Sequence, residues 1–158
     1  MKEGKTPSQS RTEVIWEVSP PDTNASLHLH GGVLLYWMDI AGGICAKRHS
    51  GRNVVTMLVG SVSFKKPIFL GNIVRIIARP TRTFNTSIEI RIDVFKEDIT
   101  SQTMEHTNTA YFVYVAIDEN NRPVKVPPVI PETPEELEEY EEALKRREFN
   151  LSLSLIHI

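Results

Sequence analysis

Between His30 and Lys47 the chain carries one carboxylate, Asp39, in a run of otherwise apolar or small residues. A carboxylate in such surroundings costs free energy unless it is paired, hydrogen-bonded or used in chemistry. Its chemical uses are general base and nucleophile. An ion pair with a basic neighbour is the alternative, and the residue types alone leave both open. Ahead of the run stand His30, Gly31 and Gly32. The two glycines would let another molecule approach the unpaired N–H groups of a helix start, or would let the helix itself pack closely. Asn24 lies upstream, in the Pro/Asn/Ser-rich segment 20–26. Taken singly it reads as an Asx-turn. Its spacing to His30-Gly31-Gly32 makes it a candidate for holding a carbonyl oxygen or a water.

Other reactive residue types are less informative. His28 and His30 are two apart, but no third ligand has metal-site spacing, so a metal is not expected. His30 reads as a helix-entry residue. Cys45, inside the apolar run, reads as a buried small hydrophobe rather than a nucleophile. Tyr36 shares a helix side with Asp39 and reads either as orienting it or as packing.

These residues need elements to hold them. The stretch His30–His49 reads as one helix ending near His49-Ser50-Gly51, apolar all round and therefore buried, with Lys47, Arg48 and His49 suiting its C-terminal dipole and Gly51 its C-cap. The pattern then becomes β-rich at 54–64, 71–79, 87–96 and 107–117, with a further strand at 12–19. Segment 87–96 alternates strictly, with Ile88, Ile90, Ile92 and Val94 facing in and Glu89, Arg91 and Asp93 facing out. Pro80 implies a bulge or an edge. Thr133-Pro134-Glu135-Glu136 starts a last helix, whose Leu137, Tyr140 and Leu144 form a docking face. The expected organisation is a disordered tail at 1–12, a domain at 13–131, a docking helix at 132–148 and an unassigned tail at 149–158. That tail alternates Leu or Ile with Ser, Asn and His, as a strand pairing with a neighbour would, or a tail of vector origin. The fold class is α+β, with an antiparallel sheet curled around one long helix.

Composition sets bounds. The 158 residues suffice for one domain with a real core. A single cysteine and an N-terminus without an apolar stretch point to a cytoplasmic protein. The helical run is too short and too polar to cross a membrane. Net charge is −2, yet residues 132–148 hold eight acids against three bases, which leaves +3 on the remainder. That is too little for nucleic acid and enough for a local basic spot facing a small polyanion.

Taken in order, Asp22-Thr-Asn24, His30-Gly-Gly32, Trp37-Met-Asp-Ile-Ala41, Arg48-His49, Ser61-Val-Ser-Phe64, Pro67, Gly71-Asn-Ile-Val74, Thr86-Ser-Ile-Glu89, Ala110-Tyr-Phe112 and Pro123-Val-Lys-Val-Pro-Pro128 resemble the hotdog-fold acyl-CoA thioesterases, in their acyl-CoA hydrolase branch. The likeness covers about residues 13–148. It departs at Asn72, where Asp is usual, and at Leu27-His28, where a glycine is often found. The resemblance implies a hotdog fold that hydrolyses acyl-CoA to fatty acid and CoA without metal or redox cofactor. Asp39 would be base or nucleophile, and Asn24 and the Gly32 N–H would assist. His30 and Gly31 would lie against the substrate, and Lys65, Lys66, Arg82 and Ser87 would be candidate contacts for the CoA moiety. A non-catalytic acyl-CoA sensor and a hotdog hydratase or dehydratase are the alternatives.

Geometry adds a constraint. Gly32 and Asp39 are seven residues apart, on one helix face but separated by about 10 Å along the axis. One thioester carbon cannot touch both within a chain. The expectation is a two-fold homodimer, with Asn24 and Gly32 from one subunit and Asp39 from the other, and the resemblance extends this to a hexamer.

Overall fold

The computed structural model describes residues 3–156. The elements run α1 (Pro7–Ser10), β1 (Thr12–Glu17), a 3-10 turn (Pro20–Asp22), α2 (Gly31–Ser50), β2 (Asn53–Val59), β3 (Ile73–Phe84), β4 (Ser87–Asp98), β5 (Thr103–Ile117) and α3 (Pro134–Ile156). The five strands form one sheet, β1-β3-β4-β5-β2, antiparallel throughout and curled around α2. This is the hotdog arrangement.

The inner face is built from alternate residues. Ile88, Ile90, Ile92 and Val94 of β4 are all fully buried, and with Val74, Ile76, Phe112 and Tyr114 they receive Leu34, Trp37, Met38, Ala41, Cys45 and Ala46 of α2. Pro80 falls in β3 where the register to β4 shifts by one residue, and the β1 pairing ends at Ala78, so its missing N–H is needed by no neighbour. Helix α2 closes on Gly51 at φ 67°, with the Gly51 N–H bonding Lys47 O.

Four expectations are corrected. First, α2 is not buried on all sides: Gly32, Tyr36 and Ile44 are exposed and Asp39 and Gly43 half-buried, so one face of the helix lies open in a single chain.

Second, the outer face of β4 is not solvated. Helix α3 covers it, and Glu89 and Asp93 are buried. Arg146 of α3 forks onto Glu89 (2.8 and 3.0 Å), while Glu139 binds Arg79 and Arg91. The docking face of α3 is therefore polar, with Ala143 at its centre, and Leu137 and Leu144 point away. A helix this acidic docks by charge because the strands beneath present arginines. Glu136 caps as expected in part: Thr133 Oγ accepts its N–H (3.1 Å), and its carboxylate accepts the Glu132 N–H (2.9 Å).

Third, the N-terminal segment is ordered from Lys5 onward. Lys5 bridges to Val129, Thr6 caps α1 through a box with Gln9, and Ser10 is buried against His49. Its polar residues, which read as a disordered tail, are used as hydrogen-bonding groups against the end of α2. Met1 and Lys2 lie outside the described residues. Fourth, residues 149–156 continue α3 as helix rather than strand. The end of that segment, His157 and Ile158, lies outside the described residues.

Candidate functional site

Asp39 stands two turns into α2 and looks across to β5 and β2. Its Oδ1 accepts hydrogen bonds from Thr56 Oγ1 (2.8 Å) and Tyr114 Oη (3.1 Å). Among the described residues no donor reaches Oδ2, which leaves one carboxylate oxygen for chemistry. Tyr114 is buried, and that burial, together with neighbouring Asp39, holds its phenol above its ordinary pKa, so it stays a donor. The Asp39 pairing is thus to hydroxyls, and among the described residues no basic side chain pairs with it. Tyr36, the tyrosine expected to orient or pack, is 65% exposed and does neither within the chain. Thr56 and Tyr114 were not legible beforehand: a threonine and a tyrosine on alternating strands carry no signal until the sheet curls.

Asn24 is held by its side-chain oxygen. Oδ1 accepts the N–H groups of Ser26 (2.9 Å) and His28 (3.2 Å), which is the Asx-turn reading. With Oδ1 so occupied, Nδ2 is the group turned outward as a donor. The same loop places Leu27 at φ 61°, the left-handed region where the family's glycine is at ease, at a cost to a leucine of about 1 kcal/mol. Asn72, the other departure, accepts the Phe69 N–H at 2.8 Å and so holds the turn before β3.

The start of α2 is bare. His30 is the N-cap and makes no side-chain cap bond, so the first-turn N–H groups have no partner from it. A Cβ on Gly31 would meet the Phe64 ring at an ordinary 3.5 Å, and one on Gly32 would meet nothing within 4 Å. The chain's own packing therefore does not require glycine at Gly32.

Asn24, His28, Gly31, Phe64, Lys66 and Asn108 share the walls of one cleft of about 340 Å³. Asp39 is not among its lining residues. Of the other expected contacts, His30 is exposed at the helix entry and Lys65 is exposed on the loop 60–72. Lys66 lines the cleft and donates to His106 O (3.1 Å). Arg82 and Ser87 are elsewhere: Arg82 binds Tyr140 O and stacks on its ring, and Ser87 accepts from Arg147, so both seat α3. Within the chain they therefore lie at the α3 seat and not in this cleft.

The remaining reactive groups are quiet. Burial pushes the Cys45 thiol up to about 12, and it donates to Ser10 O. Burial lowers the pKa of His49, although its bond to Pro127 O opposes the shift. Pro127 O can only accept, so Nε2 carries the proton and Nδ1 accepts from Ser10 Oγ. His49 is thus a neutral strut, not the dipole-pairing cation that its place in the last turn implied. Among the described residues no group of three or more His, Cys, Asp or Glu is placed to hold a metal.

Residues 28–102 match the sequence profile of the Thioesterase superfamily. The uncharacterized acyl-CoA thioester hydrolase YkhA of Bacillus subtilis is 37% identical over 145 residues, which span 92% of this chain and 81% of that protein. The chain belongs to the thioesterase superfamily, in its acyl-CoA hydrolase branch. Among solved structures, the acyl-CoA hydrolase of Staphylococcus aureus, bound to butyryl-CoA, CoA and CoA disulfide, is 29% identical with TM-score 0.90, over 99% of this chain and 94% of that one. Alanine variants of that enzyme have been solved at an asparagine, an aspartate and a threonine spaced 15 and then 17 residues apart. A hexameric thioesterase of Yersinia pestis is 32% identical with TM-score 0.68, over 80% of this chain and 98% of that one.

Proposed function

We propose that this protein hydrolyses acyl-CoA thioesters to free fatty acid and CoA at sites shared between two copies of the chain. One observation carries the reading: Asp39 is held through a single oxygen by two hydroxyls, with Oδ2 left over. The spacing supports it. Asn24, Asp39 and Thr56 are 15 and 17 residues apart, as are the three positions altered in the S. aureus enzyme.

In the proposed reaction Oδ2 of Asp39 either takes a proton from a water that adds to the thioester carbonyl, or adds to that carbon itself. The carbon–sulfur bond then breaks and the CoA thiolate leaves, taking up a proton. Where Asp39 has added to the carbon, a water afterwards cleaves the resulting mixed anhydride, releasing the fatty acid and restoring the Asp39 carboxylate. Nδ2 of Asn24 and the Gly32 N–H donate to the carbonyl oxygen as negative charge develops on it. Neither a metal nor a redox cofactor is needed for this sequence of steps.

Both groups cannot serve one substrate from one chain, because about 10 Å of helix separates them. The open face of α2 and the unpaired edge of β2, with Val55 48% and Met57 56% exposed, favour a two-fold partner there. Antiparallel α2 helices would bring one subunit's Asp39 to the other's Asn24 and Gly32. Three such dimers would give a hexamer, the same number of subunits as in the Y. pestis neighbour. Lys65 and Lys66 remain the candidates for CoA phosphates, with His30 and Gly31 at the substrate's path. The setting proposed is cytoplasmic. No helix among the described residues is long and apolar enough to cross a membrane.

The test is thiol release from acyl-CoAs ranging from acetyl to palmitoyl. Turnover by the native chain, and its loss in a folded Asp39→Ala variant, is the expected result. Retained activity in that variant would overturn the assignment.

A further inference from the structure

We propose that Tyr114 is a positioning residue for Asp39, and that position 42 is glycine so that the Tyr114 hydroxyl can reach it. The inference rests on the role proposed above for Asp39. Tyr114 lies on the inner face of β5, 1% exposed, and its hydroxyl stands 3.1 Å from Asp39 Oδ1 and 3.0 Å from Asp39 O. It passes over α2 at Gly42. A Cβ built there would overlap the Tyr114 hydroxyl and fall 3.0 Å from its Cζ and 2.9 Å from Ile92 Cδ1.

The backbone at position 42 does not itself ask for glycine. Gly42 is mid-helix, where glycine is among the least favourable residues. Its backbone is not in the left-handed region, which among the glycines only Gly51 and Gly71 occupy. Its neighbour Gly43 would place a Cβ at an ordinary 3.8 Å from Tyr114. The crowding at position 42 comes first from the Tyr114 hydroxyl and second from Ile92 Cδ1.

The hydroxyl has work that Thr56 alone cannot do. Thr56 sits on an exposed edge strand, and a single hydrogen bond leaves the carboxylate free to turn about its Cβ–Cγ bond. Two donors on the same oxygen, one from the buried β5 and one from β2, fix the plane of the carboxylate and the direction of Oδ2. A misplacement of about 1 Å in a reacting group costs on the order of 100-fold in rate.

Four variants test this on the full chain: Tyr114→Phe, Gly42→Ala, their double, and Gly42→Ala with Ile92→Val. Tyr114→Phe is expected to lower kcat by about 10- to 100-fold with KM within about twofold. Gly42→Ala is expected to do the same, and the double to fall little further, as members of one unit do. Ile92→Val removes the second crowding atom and leaves the clash with the Tyr114 hydroxyl in place, so it should not restore the kcat of Gly42→Ala. Native kcat in Tyr114→Phe, or recovery of kcat by Ile92→Val, overturns the inference while native turnover and a dead Asp39→Ala leave the assignment of Asp39 standing. If the native chain turns over no acyl-CoA, the assignment fails and the positioning role fails with it.

Discussion

Replacing Asn24 with aspartate should leave its loop intact and stop catalysis. The side-chain oxygen accepts two backbone N–H groups, at 2.9 and 3.2 Å, and an aspartate oxygen can accept both. Alanine accepts neither. Each such bond is worth about 0.5–1.5 kcal/mol net, and this loop is exposed, so water recovers part of the loss; Asn24→Ala should cost about 1–2 kcal/mol. For a chain of this size that is a fall in Tm of roughly 2–6 °C. Asn24→Asp should lie within about 1 °C of the native chain, because it keeps the acceptor. Turnover should separate from stability. Both variants lack the outward Nδ2 donor, and loss of one donor to a developing oxyanion costs about 100- to 1,000-fold in kcat. The aspartate further sets a negative charge where charge must develop. Thermal melts beside thiol-release kinetics on one acyl-CoA decide the matter. Near-native turnover by Asn24→Asp would refute the catalytic reading and leave Asn24 as a turn residue only.

Four further outcomes are expected. Tyr36→Glu alters a side chain that is 65% exposed in one chain, so the fold should survive while light scattering reports dissociation and activity disappears; a fully active monomer would sink the shared-site proposal. Arg146→Met strands Glu89, whose side chain is 3% exposed, and should cost about 3 kcal/mol in urea unfolding, most of it regained when Glu89→Gln is added; equal stability of the two variants would argue against a buried pair seating α3. His49 titrates below its unfolded value of 6.5, so its contribution is present above pH 6.5 and is lost as pH falls through the lower folded value. Melts taken from pH 7.5 to 5 should therefore show a decline that His49→Gln flattens. Asp93 acts at lower pH: although burial opposes it, hydrogen bonds from Arg91 and Thr109 hold its carboxyl below its ordinary value of 3.8, and its contribution is lost as pH falls through that lowered value.

The strands of the inner sheet were legible in the chain because alternation is a local property, and Ile88, Ile90, Ile92 and Val94 declare their face within a few residues. The outer face was not. Glu89 and Asp93 read as solvated because nothing in their own strand says that a helix from residues 134–156 will lie across them. The polar N-terminal segment looked disordered for the same reason, since Ser10 meets His49 only once the chain has closed on itself.

By itself the sequence determined the long helix with its lone carboxylate, the alternating strands, the glycines at the helix start and the series of motifs that marks the family. Each of these is carried by neighbours in the chain, through helix and strand periodicity and the conformational preferences of glycine and proline. Only the tertiary structure decided what holds Asp39, because Thr56 and Tyr114 are 17 and 75 residues away and meet it when the sheet curls over α2. It also decided which way Asn24 presents its amide, since that depends on two backbone N–H groups oriented by the loop. Hydrogen bonds act over about 3 Å whatever the separation along the chain, so their partners are chosen by the fold and not by spacing.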